Sequence, residues 1–118
     1  MADDQTLERI AQNQSRFREV NEQIEATADR MRMTGAIPFV CECPRPTCTE
    51  IVRMSLEEYE EVRQYDRRFF VVPGHQDVAL TSGAGVVTGH DQDGRFVLVD
   101  KIGVAGEIAE ERYRDLAE

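Results

Sequence analysis

The stretch Ala36-Ile37-Pro38-Phe39-Val40-Cys41-Glu42-Cys43-Pro44-Arg45-Pro46-Thr47-Cys48 holds all three cysteines of the 118-residue chain. Its first half is β-prone. Pro38 assigns it to a sheet edge or to the start of a strand, because proline has no N–H to give to a ladder. Side chains on an extended backbone repeat every two residues, so Cys41 and Cys43 present both sulfurs on one face. Pro44 and Pro46 stiffen the loop that brings Cys48 back toward them. Three thiols then aim at one point. In a cytosolic protein such clustering speaks for metal binding or redox chemistry rather than for a structural disulfide.

Zinc completes a tetrahedron with a fourth ligand. The chain offers two histidines. His75 stands in the turn Pro73-Gly74-His75, an ordered place from which to present an imidazole. His90 adjoins the hairpin turn Asp91-Gln92-Asp93-Gly94 and reads as a solvated surface residue. The favoured reading is a closed Cys₃His site for Zn2+ made of Cys41, Cys43, Cys48 and His75. Glu42 and Glu50 are alternative fourth ligands, disfavoured because a thiolate-rich site prefers nitrogen or sulfur. A thiol–disulfide switch is a second use of the same cysteines. Inert buried cysteines are the plainest use. An iron–sulfur cluster usually asks for four cysteines, one more than the chain has.

Downstream, Ser55-Leu56-Glu57-Glu58 matches a capping box, so a helix begins at Leu56 with Tyr59, Val62 and Tyr65 along its apolar side. Phe69-Phe70-Val71-Val72 is a β-prone run closed by the turn pair Pro73-Gly74. Val86-Val87-Thr88 and residues 95–100 predict a hairpin in which Gly94 supplies a positive φ. Residues 77–85, small and polar with two glycines, read as loop. The glycines of residues 83–89 lead into a strand rather than a helix, which excludes a phosphate-binding loop. Residues 105–117 predict an acidic C-terminal helix with Ile108, Ala109, Tyr113 and Leu116 on one face.

Upstream, residues 6–32 contain neither Gly nor Pro. Leu7, Ile10, Gln14, Phe17, Asn21, Ile24, Ala28 and Met31 recur at spacings of three and four, which predicts one long helix with a heptad stripe. Asp4 is its expected N-cap and Gly35 its expected stop. Such a helix spans about 40 Å. It either projects toward a partner helix or overhangs its own domain. The expected architecture is α+β: an N-terminal helix in residues 1–35, and a body in 36–118. The body has a small antiparallel sheet, a zinc-knuckle-like loop, a capped central helix and a C-terminal helix.

The pattern Phe39-Val-Cys41-Glu-Cys43, Thr47-Cys48-Thr-Glu50, Ser55-Leu-Glu-Glu-Tyr59-Glu-Glu-Val62-Arg63, Arg68-Phe69 and Val72-Pro-Gly-His75 resembles a family of small uncharacterised proteins of high-GC, actinobacterial-type bacteria. The resemblance covers residues 38–75, with a weaker likeness at residues 96–101 and 102–109. It implies that the three cysteines and the Pro-Gly-His turn belong to one site, and it implies no particular activity.

The chain carries 23 acidic and 14 basic side chains, a net charge of −9. Nucleic-acid binding needs a basic face, and none is visible, so no nucleic-acid partner is expected. Arg63, Arg67 and Arg68 beside Glu57, Glu58, Glu60 and Glu61 read as a salt-bridged helix surface. No apolar run reaches the roughly 18 residues of a membrane span, and the start is not signal-like, so the expected location is the cytoplasm without membrane contact. No catalytic constellation stands out. The sequence therefore points to a non-enzymatic zinc-binding module that engages a protein partner or a second copy of itself through residues 6–32. The alternatives are a redox sensor using the thiols and, third, a small metalloenzyme.

Overall fold

A computed structural model describes residues 4–45, 47–102 and 107 of the chain. Helix α1 spans Asp4–Arg30. It closes in a Schellman turn: Met33 N–H donates to the Ala28 carbonyl at 2.9 Å and Arg32 N–H to the Asp29 carbonyl at 3.0 Å. The left-handed residue of that turn is Arg32, with φ of 55°. The helix thus stops before Gly35, and Asp4 lies within it rather than capping it.

Strand β1 (Ile37–Val40) pairs antiparallel with β2 (Ile51–Met54) as a two-stranded sheet. In the register Ile37 faces Met54 and Phe39 faces Val52, which puts four buried apolar side chains on one face. Ser55 then starts α2 (Leu56–Arg63) with a complete capping box. Its Oγ accepts from Glu58 N–H at 3.1 Å, while the Glu58 carboxylate accepts from Ser55 N–H at 2.8 Å. The remaining strands β3 (Arg68–Val71), β4 (Gly85–His90) and β5 (Val97–Lys101) form a second antiparallel sheet in the order β3-β5-β4. Gly94 takes φ of 75° in the β4–β5 turn, and a register shift between Val87 and Gly89 bulges β4.

The fold is therefore α+β with two small antiparallel sheets rather than one. Strand β2 was not expected. Residues 77–85 are not all loop, because α3 occupies Asp77–Ser82, where the Thr81 hydroxyl donates to the Asp77 carbonyl at 2.8 Å. The C-terminal helix expected over residues 105–117 lies outside the described residues, apart from the helical Glu107. No helix among the described residues is long and apolar enough to cross a membrane.

Facing residues of an antiparallel pair share one side of the sheet. Phe70 and Leu98 therefore point one way, while Phe69, Val71, Val97 and Val99 point the other. The first side joins an aromatic core in which Phe39 and Tyr59 stack at 4.4 Å and Phe70 meets both edge-on. Ala28 of α1 is buried in the same core, with Ile24 packed against it. On the second side, Val71, Val97 and Val99 cluster with Cys41 and Cys43. That side carries the site.

Candidate metal centre

The segment after β1 crosses from one sheet to the other. Cys41 N–H donates to the Glu50 carbonyl at 3.0 Å, which prolongs the β1–β2 ladder, and Glu42 N–H donates to the Phe70 carbonyl of β3 at 3.0 Å. Alternation then buries Cys41 and Cys43 together beneath the second sheet. Cys48 returns in a tight turn, its N–H donating to the Arg45 carbonyl at 3.1 Å. His75 arrives from β3: its N–H donates to the Val72 carbonyl at 2.9 Å, with Pro73 and Gly74 at the corner. Gly74 has φ of 100°, the positive value that such a Pro-Gly turn requires at its second corner residue.

These turns bring Cys41, Cys43, Cys48 and His75 together, with one ligand atom of each lying within 4.8 Å of all the others. His75 Nδ1 is 3.6 Å from Cys41 Sγ and 3.6 Å from Cys48 Sγ. A regular tetrahedron with zinc bond lengths has a nitrogen–sulfur edge of about 3.6 Å. One ring nitrogen equidistant from two sulfurs is compatible with a corner of such a figure.

Backbone amides also approach the sulfurs. Val72 N–H donates to Cys41 Sγ at 3.2 Å, and the Arg45 and Glu50 backbones act to lower Cys43 and Cys48. Amide donors of this kind stabilise thiolates, the form in which cysteine binds a metal. The thiols are unequal. Donation from the Cys41 thiol, ahead of the other causes, pushes Cys43 down to about 5. Cys41 is pushed up, first by sharing that proton and then by burial. Cys48 is pushed up mainly by burial. A metal ion held there would bind the cysteines as thiolates and release their protons.

The alternative ligands stand elsewhere. Glu42 lies between two cysteines in sequence, yet its carboxylate turns away from the cluster. Its Oε1 accepts from Arg63 at 2.6 Å and from Phe70 N–H at 3.3 Å, and its Oε2 accepts from Asn21 at 2.8 Å. Glu50 and His90 are exposed. Arg63, expected on a salt-bridged helix surface, is instead buried against Glu42 and over the Tyr59 ring at 5.3 Å.

Beneath the cysteines lies a group of charges that the sequence reading missed. Around Phe69 stand Arg18 at 4.4 Å from the ring centre, Lys101 at 4.8 Å and Arg63 at 5.7 Å. Burial draws Lys101 down to about 7 and Arg18 down to about 10. A signal for Lys101 was present, because it continues the inward alternation Val97, Val99, Lys101 of β5.

Comparisons with protein-family models, with curated proteins and with solved structures find no match to this chain.

Proposed function

We propose that Cys41, Cys43, Cys48 and His75 hold one structural Zn2+, and that the protein is a non-enzymatic regulatory or adaptor module that binds another protein. The observation that carries the metal reading is the convergence of the four donors within 4.8 Å of one another, with His75 Nδ1 at 3.6 Å from both Cys41 Sγ and Cys48 Sγ. Zinc would tie the β1–β2 sheet, through its loop, to the end of β3. A small body gains most from such a staple. Four protein ligands leave no position for a catalytic water, which supports a structural role over an enzymatic one. The partner surface is assigned to residues 6–32, where Val20 and Met31 are exposed. The partner is another protein or a second copy of the chain.

Elemental analysis of protein purified without added metal or chelator tests the metal reading. One zinc per chain, with retention much reduced in His75→Ala, supports it. Three freely titrating thiols and no metal would end it.

A second reading, a redox sensor, is favoured by one observation: Cys48 is only half-buried, unlike Cys41 and Cys43. Hydrogen peroxide would take two electrons from a pair of thiolates and, with two protons from solvent, leave a disulfide and two waters, so that the metal would lose two ligands and be released. Zinc release by mild peroxide and its recovery on reduction would support this reading; inertness would leave the structural module.

A further inference from the structure

Lys101 is the single lysine of the chain, whose other basic residues are all arginine. It ends β5 on the face where Val97 and Val99 pack against Cys41 and Cys43. The residue is 1% exposed, and its Nζ has no hydrogen-bond partner among the described residues. It stands over the face of Phe69, 4.8 Å from the ring centre. The charges that bear most on it are those of Glu42, Arg18, Asp100 and Cys43. Glu42 is already held by Arg63 and Asn21, Asp100 is held by Arg68, and Arg18 repels it. A buried ammonium with no anion of its own is strongly disfavoured. The remaining group, Cys43, belongs to the metal centre.

We propose that Lys101 is the buried counter-ion of the metal–thiolate centre. Zn2+ bound by three thiolates and a neutral imidazole leaves one net negative charge, part of it on the buried sulfurs of Cys41 and Cys43. The Lys101 ammonium balances that charge from the β5 face whose Val97 and Val99 cluster with Cys41 and Cys43, and makes the thiolates better able to hold the metal. A compact point charge on a flexible stem suits the place better than a guanidinium, which demands several hydrogen bonds in a fixed plane. Lys101 touches no ligand in this account. It acts on the metal through the thiolates, as an outer-shell group. The inference rests on the zinc reading above.

The test compares zinc dissociation constants, by chelator competition, for the full-length wild type, Lys101→Met and Val99→Ala. Methionine keeps the apolar stem and removes the charge, a change that buried sites commonly tolerate. Val99→Ala opens the same layer without altering charge, and so measures how far loosened packing alone weakens the site. Lys101→Met is expected to bind zinc about 10–100-fold more weakly, the usual cost of losing an outer-shell partner, with a clearly smaller loss in Val99→Ala. An unchanged affinity in Lys101→Met, or a loss no greater than that of Val99→Ala, overturns the counter-ion role and leaves the zinc reading intact. A wild type that binds no zinc overturns both.

Discussion

Asn21 and Val40 exchange two hydrogen bonds of 2.8 Å each: the Asn21 amide donates to the Val40 carbonyl, and Val40 N–H donates to Asn21 Oδ1. The side chain of α1 thereby satisfies the outer edge of β1 as a neighbouring strand would. It also reaches the Glu42 carboxylate at 2.8 Å. The link runs from helix to edge strand to the loop that carries the cysteines.

Replacing Asn21 with alanine strips partners from Val40 and from a buried carboxylate. Each unsatisfied buried group costs about 1–3 kcal/mol, so Asn21→Ala is expected to lose roughly 3 kcal/mol of unfolding free energy. Urea unfolding of zinc-loaded protein checks this. A loss below about 0.5 kcal/mol, the level of an ordinary surface substitution, would mean that the edge pairing contributes little.

The Glu42–Arg63 pair is buried on both sides, with 0% and 7% of the side chains exposed. Removing either charge strands the other, at about 3–5 kcal/mol. The double variant Glu42→Leu/Arg63→Met removes both members of the pair at once. It should therefore lie well short of the summed single losses, by about 2 kcal/mol or more. Strict additivity in the double-mutant cycle would contradict the pairing.

Arg32 holds a left-handed conformation that costs a non-glycine residue about 1–2 kcal/mol. Arg32→Gly is expected to raise the melting temperature, by relief of about 1 kcal/mol less the added freedom of the unfolded chain. A lower melting temperature would show that the Arg32 side chain contributes more than its backbone strain removes.

Acid sensitivity should centre on Arg95. Its guanidinium bonds Asp91 at 2.8 Å and Glu58 at 2.5 Å. Those bonds, first among the causes, hold Asp91 down to about 2 from an ordinary 3.8 and lower Glu58 as well. Carboxylates depressed in the folded state add stability that is fully present above their ordinary range and is lost as pH falls through the folded value. Stability should thus decline between about pH 4 and pH 2. Arg95→Met should flatten that part of the profile, and an unaltered slope would argue against the coupling. The three groups are solvent-facing enough that the effect is modest and falls with added salt.

Much of this was legible beforehand. The capping box at Ser55, the hairpin at Gly94 and the convergence of Cys41, Cys43, Cys48 and His75 follow from local rules of turn chemistry and strand alternation. Strand β2 was hidden because Ile51-Val52-Arg53-Met54 is short and runs straight into a helix cap. Helix α3 was hidden because Asp77-Val78-Ala79-Leu80-Thr81-Ser82 is too short to display a helical period. Asn21 was read as a polar position in a heptad seam, and its real partner is a strand edge that no helical period announces. The charged layer of Arg18, Glu42, Arg63 and Lys101 was the least readable. Sequence patterns assign charge to the surface, and only the tertiary fold reveals which charges face one another.

X-ray absorption at the zinc edge tests the central claim most directly, on protein purified without added metal. The account predicts one zinc per chain with a first shell of three sulfurs at about 2.3 Å and one nitrogen at about 2.0 Å. Protein that carries no metal, or a zinc whose shell holds an oxygen in place of the His75 nitrogen, would contradict it.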